Sequence, residues 1–462
     1  MPDKLKSADL KADLAQLEAW ALAPVDTARD LVANLSGVYG ALRNLELSRY
    51  DTRALANDAP ALIQRLFRAR MQLRDRLPEW QHKGLLTHEA QIALRNLFRA
   101  MRSGSDMLGE LSIGFRRQNN GAAPLRAFRG RESNTLINPR FDTRADLPFR
   151  SGDVLLVRGR HHNSAAIARI GDVDSQYSHV SIIYVDPKGY HWVVEVLIEE
   201  GGIIQPLEDA LAHDLGRAIV FRHRDAALAQ RAAYIAHEHV KQSLSRYGKP
   251  IHYDFTMECE GYKRMFCSKL IRFAFDKASE GKVMLSTFNT RLDMKNRDFF
   301  ERIGVTAKET FTPGDMELEP DFDVIAEWQD YRVTASLRHQ DMVMDKLFAW
   351  MEAPGMVFKE TFLINVISRL GRLSASLSKT IKSMLAEIAP KVPPHMPRRT
   401  IATIVMLHKT ADPIMIELER LEQERIALFH HPLHPREVLE YLERYREKSG
   451  GEIGYMQTPT PA

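Results

Sequence analysis

Cysteine is almost missing, since Cys259 and Cys267 are the only two in 462 residues. One bridge between them would close a loop too short to hold so long a chain together, which excludes a disulfide-built fold and favours a reducing compartment. Long apolar runs are missing too. No stretch nears the ~20 uninterrupted apolar residues that a spanning helix needs. The opening Met1-Pro2-Asp3-Lys4-Leu5-Lys6-Ser7-Ala8-Asp9 runs into charged helical sequence with no apolar signal core. A cytoplasmic protein is expected, with the surface of a membrane as the alternative setting. The third absence is an excess of one charge. The 64 basic residues meet 60 acidic ones and leave a net +4, too little to call for a nucleic-acid partner. What remains is ordinary globular composition, 44% hydrophobic and 27% charged, with length for about two to four domains.

Two segments depart from the even charge balance. Residues 116–150 carry Arg116, Arg117, Arg126, Arg129, Arg131, Arg140, Arg144 and Arg150 against Glu132, Asp142 and Asp146, and glycines and prolines break any periodicity. This reads as an Arg-rich linker, with phosphates or an acidic partner as the alternative for its arginines. Asp315 to Asp330 holds seven acids and no base. Neither the spacing nor the glycine of a calcium loop is there, so the segment reads as a solvated domain exit.

Changes of hydrophobic period divide the rest. Residues 1–115 repeat apolar positions at helical spacing, as in Leu31, Leu35, Val38 and Leu42, and form an N-terminal helical bundle. Helix starts are marked at Asp51-Thr52 and Thr87-His88-Glu89, with Gly84 where a preceding helix stops. Residues 151–332 turn to short Val- and Ile-rich runs alternating with helices, a mixed α+β pattern. Residues 333–449 return to helical spacing and form a C-terminal helical domain, with a pause at Lys391-Val392-Pro393-Pro394-His395-Met396-Pro397, and 450–462 reads as a loose tail.

Within the central domain, Ser178 to Val185 and His191 to Leu197 flank Asp186-Pro187-Lys188-Gly189-Tyr190. Pro187 suits the first position of a type I turn and Gly189 the left-handed one after it, which makes a three-residue hairpin loop. With Asp186 opposite Tyr190, Ser181 faces Glu195, and His179 is the diagonal neighbour of Glu195 on the same face. A carboxylate among Val193, Val194, Val196 and Leu197 needs a partner, and an imidazole supplies one. A solvent-facing glutamate beside a strand-edge histidine is the bland alternative.

Cys267 lies in Phe266-Cys267-Ser268-Lys269-Leu270, just ahead of an amphipathic run, so its sulfur should sit in the first turn of a helix. Unpaired N–H groups and the helix dipole stabilise a thiolate there. Cys259 is the weaker nucleophile, because Glu258 and Glu260 flank it. A thiol at a helix start, a histidine opening a strand and a glutamate on the next strand fill the roles of nucleophile, base and orienting group in a cysteine hydrolase.

Gly152-Asp153-Val154-Leu155-Leu156, Tyr177-Ser178-His179-Val180, Val194-Glu195-Val196 and Phe266-Cys267-Ser268-Lys269-Leu270 together resemble the ordered motifs of the YiiX-like permuted papain-fold cysteine hydrolases of the NlpC superfamily. The resemblance covers about residues 151–332. It implies an α+β fold, a permuted papain-like catalytic domain with an antiparallel sheet, here between N-terminal and C-terminal all-helical domains. By position it implies Cys267 as nucleophile, His179 as base and Glu195 as orienting residue. Tyr253, in Tyr253-Asp254-Phe255, and Ser268 are then candidates for an oxyanion or substrate contact. Lys269 stands where an acidic or small residue is usual. The implied chemistry is thiolate attack on an amide of a peptide or cell-wall fragment through a thioacyl intermediate. Lipid acyl transfer, or lipid or thioester hydrolysis, by the same Cys–His pair is one alternative, and a catalytically retired domain in a helical scaffold is another.

No cofactor and no metal are expected. His430-His431-Pro432-Leu433-His434 is broken by proline and reads as a polar loop, and His161-His162 and His237-Glu238-His239 lack a ligand partner set. From 356 to 388, Leu363, Val366, Leu370, Leu373, Leu377, Ile381, Met384 and Ile388 form a stripe opposite Arg369, Arg372, Lys379 and Lys382. That pattern fits either a bundle helix or a helix lying on an anionic membrane.

Overall fold

The computed structural model describes residues 9–116, 134–141, 149–212, 215–248, 250–292, 297–359 and 396–459. Its centre is an antiparallel sheet with seven strands among the described residues. Across the sheet the order is Thr135–Ile137, Phe322–Gln329, Leu215–His223, Val154–Gly159, His179–Val185, His191–Leu197 and Gly201–Pro206. Helices lie at both ends of the chain, so the fold is α+β with helical flanks. Thr135–Ile137, inside the span read as a linker, is an edge strand paired with Ala326 to Trp328. The remainder of that arginine-rich span, apart from residues 116, 134–141 and 149–150, lies outside the described residues.

Turn chemistry sets the register around the two strands that matter most. Gly189 has φ +85 and its N–H bonds the Asp186 carbonyl, while the Asp186 N–H bonds the Tyr190 carbonyl. Ile182 therefore pairs with Val194 and Tyr184 with Trp192, as the three-residue loop predicts. At the head of the neighbouring strand Gly152 has φ +90, and a Cβ there would stand 2.4 Å from the backbone of Ala229. Only glycine lets the sheet approach the helix Ala226–Tyr247 that closely. Asp153 beside it takes both charged contacts of Arg222 at 2.7 Å and the Arg150 N–H.

The N-terminal helices Thr52–Asp75 and His88–Arg116 pack against each other, and one continuous apolar core runs from Leu10 through the face of the sheet to Met456. Asp51 caps the first of the two by accepting from the N–H groups of Arg53 and Ala54. The acidic segment after Asp315 corrects the expectation of a solvated exit. Asp315, Glu317, Glu319, Glu327 and Asp330 are all buried. Arginines of the N-terminal helices neutralise several of them: Arg70 grips Glu327 at 2.6 and 2.9 Å, Arg102 bonds Glu317 at 2.6 Å, and Arg95 meets Asp315. The missing base of that segment is supplied from more than 200 residues upstream.

In the C-terminal part the helix Thr334–Glu352 ends where the periodicity predicts it to run on, at Pro354 and Gly355, and Val357–Phe358 is a strand. Its partner comes from the segment read as a loose tail. Glu452–Ile453 and Met456–Gln457 form a hairpin, Phe358 pairs with Met456, and Ile453 and Met456 are buried. Most of the stripe at 356–388 lies outside the described residues. No helix among the described residues is long and apolar enough to cross a membrane.

Candidate active site

Cys267 is the first residue of the helix Cys267–Ala278, with Phe266 in an extended conformation before it and no side-chain cap. The helix packs on the strands His179–Val185 and His191–Leu197, which carries its N-terminus to the mouth of the histidine strand. There the structure brings Cys267, His179 and Glu195 together. His179 Nε2 donates to Glu195 Oε2 at 2.6 Å, leaving the other ring nitrogen for the hydrogen bond to the Cys267 thiol. Glu195 is 5% exposed, and Gln205 on the edge strand donates to its second oxygen.

The electrostatics follow from those contacts. Burial alone would push the Cys267 thiol up. The hydrogen bond and charge of His179, the Val180 N–H and the Ser268 hydroxyl outweigh it and hold the thiol below its ordinary value. Burial pulls His179 down, but Cys267 and Glu195 together lift it to about 10. The site therefore favours the thiolate of Cys267 beside a protonated His179.

Tyr253 is buried, with its phenol pushed well above the usual value by burial and by the charges of Cys267, Glu199 and Asp254. It stays a hydrogen-bond donor. Ser268 is fully buried with its hydroxyl 3.9 Å from the sulfur, so it touches the thiol rather than the open cleft. Lys269 is buried as well, and its ammonium is spent on Asp254 and the Glu260 carbonyl, each at 2.8 Å. Cys259 lies apart, 3.7 Å from the Thr310 hydroxyl, and both cysteines are free.

Two groups at this site escape sequence reasoning. Gln205 is the diagonal neighbour of Glu195 across the strand pair in which Val193 faces Gln205, and hairpin register could have found it. Glu199, whose carboxyl is raised by burial and lies close enough to feel His179, follows the glutamate strand in an irregular turn with no pattern to mark it. Beside the site Tyr253 and Phe255 line an apolar pocket of about 100 Å3 with Ile167, Ile198, Ile404 and Leu407. The last two come from the C-terminal helix Arg398–Phe429.

A papain-like thiol site in which the histidine strand precedes the cysteine helix defines a permuted papain-type domain. Residues 148–326 match the family described as permuted papain-like amidase enzyme, YaeF/YiiX, C92 family. That segment is similar to this family, and the match supports an enzyme of amidase or peptidase type; the helices on either side lie outside the match. No curated protein and no solved structure matches the chain significantly.

Proposed function

We propose that the protein is a cysteine amidase in which Cys267 is the nucleophile, His179 the general acid and base, and Glu195 the group that orients the imidazole. The observation that carries this reading is the 2.6 Å bond from His179 to a buried Glu195, with the remaining ring nitrogen on the Cys267 thiol. Sulfur attacks the amide carbonyl carbon, and the carbonyl π electrons move onto oxygen. The Cys267 N–H and the Tyr253 hydroxyl are the donors for that oxyanion. Collapse breaks the C–N bond as His179 gives its proton to the leaving amine, and a thioester remains. His179 then takes a proton from water, the hydroxyl adds to the thioester, and breaking the C–S bond releases the acid and restores the thiolate beside the protonated His179.

The apolar pocket beside Tyr253 supports an apolar group on the substrate. It also favours a second reading, in which a lipid supplies the acyl group and the thioester passes it to water or an alcohol. A panel of peptidyl and N-acyl arylamides, assayed beside phospholipid vesicles, separates the two by which substrate releases product. An alkyne-tagged thiol probe tests the shared core. Labelling should fall on Cys267 in preference to Cys259 and drop sharply in His179→Ala. Equal labelling of both cysteines would sink the proposal.

A further inference from the structure

The short helix His162–Ala168 and the long helix Arg398–Phe429 meet beside the apolar pocket, each supplying part of its wall. Where they meet, three side chains converge that are far apart in sequence. His408 and Asp412 stand four residues apart on the long helix and so share one face. His162 Nε2 is 3.0 Å from Asp412 Oδ1, and the His162 and His408 rings lie 5.1 Å apart at 76°. One donor atom from each of the three falls within 4.8 Å of the others, and no other such cluster of three occurs among the described residues.

The hydrogen bonding of this cluster is incomplete. His162 is 9% exposed and His408 5%, yet His162 Nδ1 and His408 Nε2 are buried without a partner. A buried polar atom left this way costs about 1–3 kcal/mol. An ion pair between His162 and Asp412 accounts for one nitrogen and leaves His408 unexplained. A cation held by one lone pair from each imidazole and one from the carboxylate gives the buried His408 Nε2 its partner. The 3.0 Å between His162 Nε2 and Asp412 Oδ1 is within about 0.4 Å of the edge, about 3.3–3.4 Å, of a tetrahedron with bonds of about 2.0–2.1 Å. Two imidazoles and one carboxylate suit zinc and its first-row neighbours, and do not suit calcium or magnesium, which take oxygen.

We propose that His162, His408 and Asp412 form a site for a divalent transition-metal ion of the zinc class, tying the C-terminal helix Arg398–Phe429 to the catalytic domain. Three protein ligands leave a fourth position for water. The metal stabilises the packing of Ile404 and Leu407 over Tyr253, so it sets the outer wall of the pocket. The site stands on its own residues and does not depend on the proposed amidase chemistry.

The test uses the full chain, stripped with chelator and dialysed against zinc or cobalt ions. One equivalent of zinc per chain is expected, with a rise in melting temperature that chelator reverses. Cobalt should give the intense visible bands of a four-coordinate site. Asp412→Ala removes a half-exposed ligand and should cost at least about tenfold in zinc affinity, and His408→Gln should cost as much. Equal zinc uptake by the parent and both variants, or a melting temperature indifferent to zinc, overturns the proposal. A cobalt spectrum like that of the free aqua ion does the same. Should His408→Gln fail to fold, Asp412→Ala alone decides between these outcomes.

Discussion

Lys269 Nζ lies 2.8 Å from Asp254 Oδ2, with both side chains buried. Lys269 belongs to the helix begun by Cys267, and Asp254 follows Tyr253. The pair therefore ties the segment that carries Tyr253 to the helix that carries the sulfur. Its charge is turned away from the cleft and consumed, so the unusual lysine of this motif does not make the cleft basic. Lys269→Met should leave a buried carboxylate unpaired and cost about 3–5 kcal/mol, read as a fall in the urea midpoint. Pairing it with Asp254→Leu should recover part of that loss. An unchanged midpoint in the single variant would mean that the pair carries nothing.

The ion pair at the site dictates a pH profile. Cys267 ionises below its ordinary value, and His179 keeps its proton until about 10. Turnover needs both the thiolate and the imidazolium. Activity should rise as Cys267 ionises, at a pH below that of an ordinary thiol, and fall as pH passes about 10. Alkylation of Cys267 by a neutral reagent needs only the thiolate and should not fall on the alkaline side. Parallel curves from the two measurements would deny His179 its role as acid.

The hairpin and the thiol at a helix start were legible because their information is local. Pro187 and Gly189 set a loop length, the loop sets the register, and the register puts His179 beside Glu195. The buried acids from Asp315 onward were not legible, because Arg70 and Glu327 are 257 residues apart and each alone looks like a surface charge. His162 and His408 hide for the same reason. The tail misled because its few apolar residues show no periodicity, yet Ile453 and Met456 are buried in the apolar core, and Met456 pairs with Phe358 about 100 residues upstream.

Glu327 makes that long-range arrangement measurable. Burial would raise its carboxyl, but Arg70 and Arg102 hold it down at about 2. A depressed carboxylate contributes stability that is fully present above its unfolded value near 4.5 and is lost as pH falls toward about 2. Thermal melts should show a loss across that window, and Glu327→Gln should flatten it. The same substitution should cost about 3–5 kcal/mol at neutral pH, since the buried Arg70 loses its counter-charge and Arg102 keeps only Glu317. A variant as stable as the parent at pH 7 would show that the acids are not what joins the N-terminal helices to the sheet.

Gln205 and Glu195 give the sharpest test of how the imidazole is held. Glu195→Gln removes the negative charge beside His179, so the imidazolium loses its partner and the alkaline limb moves down from about 10. Turnover at neutral pH should fall by about 10²-fold or more. Gln205→Leu acts in the other direction, because its amide donates to Glu195. Without that donor the carboxylate is more basic, holds the imidazolium harder and moves the alkaline limb up. The cost in turnover should be about tenfold, the size of one hydrogen bond to a charged group. Opposite movements of the alkaline limb in the two variants are what an orienting carboxylate requires, whereas a purely structural role for either residue predicts lower activity with the limb unmoved.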